Sequence, residues 1–408
     1  MPQLHPLPAL DPSSGKSHHK GSPPTSFQNP WPSWPAQHGS PLDLLKTRFG
    51  NRPPYIPVPD DRSELVQVLK PDFSPPSARS SFKVTWIGHA SFLIQVAVPG
   101  ESRAVNVLLD PVFSERTSPV TFLGPKRYTP TPCSIEALLD AVPIDVVCVS
   151  HNHYDHADTS TLSTIFKHRG RDVVFCVALG NSRWLTPLGI PKSQIWEADW
   201  WDQVDVSLQQ GKGDASSSIS SLSTSRASSS LRITCTPCQH ASARTPFDKN
   251  CDLWCSFALR IPKPDGSHSS IYFSGDTGYR TIPSHPDPYP IEDLDNLPNC
   301  PAFARIGELL GPFALALLPI GLCHPRHFMS SVHCSAEDSM CIHRDVKAKR
   351  SVGMHYGTIR GGLSQYYEDV RLPPKEWREE AERLKLRWRG ESEDWEVGLM
   401  DVGESLTM

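Results

Sequence analysis

The sequence predicts an α/β protein in which two β-sheets pack together and helices cover them from outside. Two observations predict this arrangement. The chain after about residue 80 holds many short runs rich in β-branched and aromatic residues, and helical segments alternate with the later runs. The length of 408 residues allows one large domain or two ordinary ones. We expect a single main domain over residues 81–400.

The predicted strands share a high content of Val, Ile, Leu and Phe and are bounded by turn residues. In chain order they are FKVTWIGHASFLIQV, AVNVLLD, IDVVCVS, DVVFCVA, LRITCTPC, LWCSFALRI, SIYFSGD, ALALLPIG, RSVGMHYG and DWEVGLMDV.

The predicted helices carry recognisable start and stop signals. DTSTLSTIFKHRG begins at Asp158, whose side chain can cap a first turn, and closes at Gly170. SAEDSMCIHRDV is a second helix, and PPKEWREEAERLKL begins at two prolines, which favour the first helical turn.

The first 80 residues are a Pro-rich arm that holds 17 of the 41 prolines. Such a composition buries little apolar surface, so we expect the arm to be partly disordered, and residues 1–25 to be without fixed contacts. The segment NPWPSW is the exception, because Trp31 and Trp34 offer large apolar anchors and should dock on the main domain or on a second copy. A Ser-rich stretch at 214–230 is predicted to be an insertion between strands.

Composition excludes several classes of protein. The formal charge of −4 argues against nucleic acid as a partner. Eleven cysteines, an odd number, do not suggest a disulfide framework and are typical of reduced thiols, so we expect a cytoplasmic protein. There is no secretory signal pattern, and the best apolar run, FALALLPIGL, is too short to cross a bilayer. Any membrane contact is therefore expected to be peripheral.

The stretch HNHYDH follows the apolar run IDVVCVS directly. His151 and His153, two residues apart on extended chain, can face one metal ion, while Asp155 and His156 can serve a second one nearby. A surface cluster of histidines is the alternative. The buried strand that precedes the motif argues against that alternative.

Further candidate ligands stand at the ends of three other predicted strands, namely His240, Asp276 and His355. With the HNHYDH residues they make seven ligands, enough for two zinc ions bridged by one carboxylate. A competing possibility is a structural zinc site of Cys235, Cys238, Cys251 and Cys255. Ordinary buried thiols are the preferred interpretation of these cysteines.

HNHYDH, GHASFLIQ and GDTGY resemble the metallo-β-lactamase fold. NPWPSW, LDPVFSERTSP, GPKRYTPTPC, EADWW, RTPFDKN and SVGMHYGT narrow the resemblance to the N-acyl-phosphatidylethanolamine-hydrolysing phospholipase D family. The resemblance implies a four-layer αββα sandwich and two zinc ions per chain. One ion would be held by His151, His153 and His240, the other by Asp155, His156 and His355, with Asp276 as the bridge.

The same resemblance implies catalytic roles for Asp155, Asp276 and His333, the last of these near the reacting phosphate. The implied reaction is hydrolysis of N-acyl-phosphatidylethanolamine to N-acylethanolamine and phosphatidic acid, by a phosphodiesterase on a peripheral membrane surface. A homodimer is also implied. Zinc suits this chemistry because it lowers the pKa of bound water to about 7 and neutralises phosphoryl oxygens.

Two alternatives to this function stay open, because a fold does not fix a substrate. One is another dinuclear-zinc hydrolase, such as a lactonase or a soluble phosphodiesterase. The other is a non-enzymatic binding protein, which the seven metal-ligand residues disfavour. An exposed apolar patch beside the metals would favour the phospholipase, and a narrow polar pocket would favour the soluble enzyme.

Overall fold

A computed structural model of the chain describes residues 1–34, 50, 53–77, 80–120, 122–208, 230–283 and 290–408. The predicted Ser-rich insertion at 214–230 lies, except for Ser230, outside the described residues. All ten predicted strand runs contain a strand of the structure. In chain order the strands are β1 (Pro2–Leu7), β2 (His19–Lys20), β3 (Ser26–Phe27), β4 (Phe82–Gly88), β5 (Ser91–Val96), β6 (Val105–Leu109), β7 (Lys126–Arg127), β8 (Val146–Val149), β9 (Val174–Ala178), β10 (Ile195–Ala198), β11 (Gln203–Leu208), β12 (Leu231–Thr236), β13 (Ser256–Pro262), β14 (His268–Phe273), β15 (Leu315–Pro319), β16 (Ser351–Met354), β17 (Ile359–Arg360), β18 (Val397–Gly398) and β19 (Ser405–Thr407).

Two large sheets form the centre of the fold. The eight-stranded sheet has the order β1-β11-β12-β13-β14-β15-β16-β18, and the seven-stranded sheet has the order β10-β9-β8-β6-β5-β4-β19. Each sheet is mixed. Strands β6, β8, β9 and β10 run parallel in one sheet, and β14, β15, β16 and β18 run parallel in the other. The small pairs β17-β7 and β2-β3 lie outside these sheets.

The helices of the described residues lie between the later strands of each sheet. They are α1 (Ile135–Ala141), α2 (Thr159–Arg169), α3 (Ser182–Leu185), α4 (Ala302–Leu309), α5 (Arg326–Met329), α6 (Ala336–Asp345), α7 (Ser364–Tyr367) and α8 (Leu372–Arg383). The predicted start signals are present. The Asp158 carboxylate accepts from the first-turn N–H groups of α2, and Ser335 and Asp338 form a capping box at α6.

The alternation of side chains along the strands explains why these runs are apolar without a break. In β8, Val146 and Cys148 face the core between the two sheets, while Val147 and Val149 face a second core. That second core is completed by Leu138 of α1 and by apolar residues of α2. A strand covered on both faces needs apolar side chains at every position. The fold is therefore a four-layer αββα sandwich, as expected.

The strand directions bring one set of strand ends to one edge of the sandwich. Strands β6 and β8 are parallel in the smaller sheet, and β12 and β14 run in the same direction in the larger sheet because each is antiparallel to β13. The residues just beyond the carboxyl ends of these strands meet at that edge, as is usual for open α/β sheets.

The N-terminal residues depart from the prediction. Residues 1–25 were expected to lack fixed contacts, and this is wrong for Pro2–Leu7, which pairs antiparallel with β11 as the edge strand of the larger sheet. This segment has few apolar side chains to bury, and main-chain hydrogen bonds to β11 hold it in place instead. Prolines are tolerated in this strand because an edge strand has one side free of partners. The division of the chain near residue 80 stays a prediction.

Contacts further along the arm join it to the turn between β10 and β11. The buried Asp199 carboxylate lies 2.7 Å from both Lys16 Nζ and His18 Nε2, and 2.8 Å from His19 Nε2. Trp31 stacks on Trp200 with ring centroids 5.1 Å apart.

Among the described residues, no helix combines the length and apolar character that a membrane span requires.

We predict that Trp31→Ala lowers thermal stability, because the substitution removes the stack on Trp200. The loss should be about 1–3 kcal/mol, which is several degrees of melting temperature for a chain of this size. Differential scanning calorimetry measures it. Phe247→Ala removes an aromatic ring that is 94% exposed and serves as the control. Equal melting temperatures for Trp31→Ala and the parent would contradict the prediction.

Candidate metal centre

The turn that follows β8 brings the first three candidate ligands together. His151 Nε2 lies 2.9 Å from His153 Nδ1, and His240 Nε2, from the segment after β12, lies 3.2 Å from each of these atoms. Zinc–nitrogen bonds of 2.0–2.1 Å in a tetrahedral site put ligand nitrogens about 3.3 Å apart. The three nitrogens thus form a triangle of the size that one zinc ion needs.

In two of these rings, the nitrogen that does not belong to the triangle makes a hydrogen bond. That bond leaves the nitrogen in the triangle with a free lone pair. His240 Nδ1 donates to the Val332 carbonyl at 2.9 Å, which leaves its Nε2 unprotonated. Ser150 Oγ donates to a carboxylate and lies 3.0 Å from His151 Nδ1, so it accepts from that ring. Lone pairs at this distance repel each other unless a cation lies between them. The triangle therefore fits a metal ion.

A second group of candidate ligands lies beside the first. His156 Nε2 is 3.2 Å from His355 Nε2, and these nitrogens lie 3.1 and 3.0 Å from the two carboxylate oxygens of Asp276. Asp155 Oδ2 is 3.6 Å from His355 Nε2 and 3.9 Å from His156 Nε2. The structure thus brings all seven predicted metal-ligand residues to one edge of the sandwich.

Asp276 follows β14 and lies almost fully buried within this second group. Its Oδ1 makes no hydrogen bond of good geometry within the described part of the chain. A buried carboxylate oxygen without a hydrogen bond is costly unless a cation compensates it. This oxygen is a second observation that fits a bound metal.

Burial and charge shift the pKa values of the histidines in opposite directions. Burial holds the pKa of His151 and His240 well below the usual value, so both rings are neutral and can bind a metal. Burial also opposes the charged form of His156 and His355, but the carboxylates, Asp276 above all, outweigh it and raise the pKa of both rings, that of His355 to about 9. The buried carboxylates thus favour a positive charge at these two rings, whether a proton or a metal ion supplies it.

Asp110, at the end of β6, is a functional residue that the sequence reasoning missed. Its carboxylate accepts from His156 Nδ1 at 2.7 Å, and from the Ser150 N–H at 2.7 Å and the Ser150 hydroxyl at 2.6 Å. An ionised carboxylate only accepts, so His156 carries its hydrogen on Nδ1 and presents Nε2 to the site. The signal available in the sequence was its place after an apolar strand run, in LDPVF.

His89, between β4 and β5, was also missed as a site residue. It is fully buried, its Nε2 lies 3.1 Å from Asp155 Oδ2, and its ring lies 4.1 Å from that of His355. His89, Asp110 and His355 all have positive φ angles, of 58°, 37° and 61°. Such angles cost energy in residues other than glycine and are concentrated at functional sites.

His333, between α5 and α6, lies on the open side of the cluster. Its Nδ1 is 3.7 Å from Asp276 Oδ2, and its side chain is 13% exposed. His153 and Asp155 are likewise only partly covered, whereas the other candidate ligands are buried. The cluster is therefore closed by the sandwich on one side and accessible on the other, as a catalytic metal site must be.

The alternative zinc site at the four cysteines gains no support from their environment. Cys235, Cys238 and Cys255 each donate to a different backbone carbonyl, those of Ala198, Asp276 and Ser150. Burial raises the pKa of all three thiols. Zinc binds the thiolate, so these residues are better described as buried thiols.

Comparison with known proteins agrees with the fold and the site. A family model described as "Beta-lactamase superfamily domain" matches residues 105–356. A Caenorhabditis elegans protein named N-acyl-phosphatidylethanolamine-hydrolyzing phospholipase D 1 is 31% identical over 368 residues, covering 88% of this chain and 88% of its own length. The chain belongs to the N-acyl-phosphatidylethanolamine-hydrolysing phospholipase D family. It is thus a metal-dependent hydrolase of the β-lactamase superfamily.

Two further relatives match shorter parts of this chain. An uncharacterized protein of Mycobacterium tuberculosis is 30% identical over 308 residues, which are 75% of this chain and 63% of that protein. A Saccharomyces cerevisiae protein named N-acyl-phosphatidylethanolamine-hydrolyzing phospholipase D, mitochondrial, is 29% identical over 257 residues, which are 62% of this chain and 44% of that protein.

We predict that Asp110→Asn weakens metal binding. The amide that replaces Oδ2 would face His156 Nδ1 with a donor, so the ring must change tautomer or turn away. Loss of such an outer contact typically costs 10–100-fold in metal affinity or activity. Chelator titration followed by elemental analysis measures the loss.

The matched control is Asp140→Asn, which alters an exposed carboxylate 3.1 Å from His168 Nε2. Its metal affinity should equal that of the parent. Unchanged affinity in Asp110→Asn itself would show that the contact does not set the tautomer of His156.

Proposed function

We propose that the chain is a dinuclear zinc phosphodiesterase that hydrolyses N-acyl-phosphatidylethanolamine to N-acylethanolamine and phosphatidic acid. The observation that carries the proposal is the convergence of seven candidate metal-ligand side chains. In addition, 88% of the chain aligns with a relative that is named for this reaction. A zinc ion is the expected metal because the donors are imidazoles and carboxylates with open positions beside them.

We assign the ligands as the family resemblance implies. His151, His153 and His240 would hold one zinc ion, Asp155, His156 and His355 the other, and Asp276 would bridge them. When bound, the ions would supply a water of lowered pKa and a positive charge for the phosphoryl oxygens.

The residues of the chain would orient the substrate and handle its protons. His333 lies on the accessible side, so its ring can reach the phosphate or the leaving oxygen of a bound diester. Asp276 and Asp155 lie next to the same space and would fix the orientation of groups bound there. Asp155, Asp276 and His333 are therefore the proposed catalytic residues.

Three strongly exposed apolar side chains on two loops support the phospholipid substrate over a soluble one. They are Phe122 (78% exposed), Leu123 (67%) and Phe247 (94%), which we call the apolar patch. Exposed apolar side chains mark an interaction surface where they lie together. We propose that they enter the membrane that holds the substrate.

The two loops that carry this patch are both hydrogen-bonded to the segment around the metal-ligand turn. Arg244, close to Phe247 in the chain, donates through Nη1 to the carbonyls of Asn152 and Ala157 at 2.9 and 3.0 Å. In the other loop, the N–H of Ser114 donates to Asp158 at 3.0 Å. Both loops are thus tied to the edge that carries the candidate ligands.

The homodimer stays a prediction.

We predict that the purified, zinc-loaded protein releases N-acylethanolamine from N-acyl-phosphatidylethanolamine. Asp276→Asn should lower the rate by orders of magnitude, because the bridge loses its charge, while circular dichroism stays that of the parent. Mass spectrometry of the lipid products measures the reaction. A zinc-loaded parent that opens a lactone or cleaves a soluble diester, and leaves the phospholipid intact, would favour the alternative hydrolases.

We also predict that Phe247→Ser weakens binding to phosphatidylcholine vesicles that contain N-acyl-phosphatidylethanolamine. A phenylalanine side chain moved from water into an apolar phase gains about 1.5–3 kcal/mol, so binding should weaken roughly tenfold or more. Sedimentation with vesicles measures the binding. Zinc content should not change.

The control for this variant is Leu384→Ser, which alters an exposed leucine (42%) at the end of α8, outside the two loops. It should bind vesicles as the parent does. If Phe247→Ser and the double variant Phe122→Ser/Leu123→Ser both bind vesicles as the parent does, the patch does not contact the membrane.

A further inference from the structure

The N-terminal arm contacts a segment that carries one of the candidate metal ligands. Asn29 is buried, and its side-chain Nδ2 donates to the backbone carbonyl of His240 at 2.7 Å. Four residues later, Ser33 Oγ donates to the side-chain oxygen of Gln239 at 2.5 Å. The arm therefore contacts both residues of the dipeptide that delivers His240 to the first group of ligands.

This dipeptide also contacts residues outside the arm, where the packing is tight. The Gly278 N–H donates to the Gln239 carbonyl at 2.8 Å, and Gln239 Nε2 donates to the Ser331 carbonyl at 3.0 Å. A Cβ atom on Gly278 would lie 2.3 Å from the Ser331 carbonyl oxygen. The residue before His240 is thus held by the main chain on which it packs, and Asn29 adds a contact to His240 itself.

The arm is fixed on both sides of Asn29, so the amide is held in place before any metal binds. Upstream, Lys16, His18 and His19 converge on the Asp199 carboxylate. Downstream, Thr281 Oγ1 donates to the Ser33 carbonyl at 2.6 Å. Because the arm is held at both ends, the bond from Asn29 to His240 costs little additional chain entropy.

We infer that Asn29 is a positioning residue for the metal ion held by His151, His153 and His240. The amide fixes the His240 backbone, and the Val332 carbonyl fixes the His240 ring, so together they set where Nε2 points. The inference assigns the Pro-rich arm a role in the metal centre itself. It rests on the proposed metal centre and not on the proposed substrate.

The test compares metal retention in Asn29→Asp, Asn29→Ala and the parent. In Asn29→Asp a carboxylate oxygen replaces the amide donor and faces the His240 carbonyl oxygen, so the dipeptide is pushed away. In Asn29→Ala the bond is lost without added charge. We expect one of the two zinc ions to be removed at a chelator concentration 10–100-fold lower than in the parent, while the other is retained.

A second measurement separates positioning from general support of the fold. The metal-free forms of Asn29→Ala and the parent should have similar melting temperatures, and the added stability on zinc loading should be smaller in the variant. Gln28→Ala is the matched control, because its side-chain amide donates within the arm, to the Ser17 carbonyl, at 2.8 Å. It should retain both ions as the parent does.

The inference is overturned if Asn29→Ala and Asn29→Asp retain both ions like the parent. It is also overturned if both ions are lost together, or if Gln28→Ala behaves like the Asn29 variants, since the arm then supports the fold in general. A parent that retains two ions but hydrolyses no N-acyl-phosphatidylethanolamine refutes the proposed substrate and leaves this inference standing. A parent that binds no metal refutes both.

Discussion

The Asp110 carboxylate is the contact on which the arrangement of the metal centre depends. It is fully buried between the ends of β6 and β8 and accepts three hydrogen bonds, two from Ser150 and one from His156. A buried carboxylate is tolerated only when it is satisfied in this way. Through Ser150 it fixes the tautomer of His151, and directly it fixes that of His156. One side chain thus orients a ligand in each group.

The sandwich supplies the stability that allows this concentration of polar groups. Apolar residues alternate between two cores on β8 and β9, so the strands that end at the site are held on both faces. Residues with positive φ, such as His89 and His355, cost about 1–3 kcal/mol each and persist only where the surroundings impose them. The burial of the strands immediately before these residues provides that constraint.

Segments outside the two sheets contact the chain that delivers the candidate ligands. The N-terminal arm donates a hydrogen bond to the backbone of His240 through Asn29. The loops that carry Phe122 and Phe247 are tied to the metal-ligand turn through Asp158 and Arg244. Each contact restrains a segment that carries candidate ligands.

The sequence by itself determined ten strand runs, three of the helices and the seven candidate ligands, because each of these is a local pattern. HNHYDH follows an apolar run, and His240, Asp276 and His355 each stand at the end of another one. Only the tertiary structure decided the rest. Asp110, His89 and Asn29 act through partners 46, 66 and 211 residues away in the chain, so no local pattern marks them. The edge strand Pro2–Leu7 was missed for a related reason, since its stability comes from main-chain bonds to β11 and not from its own side chains.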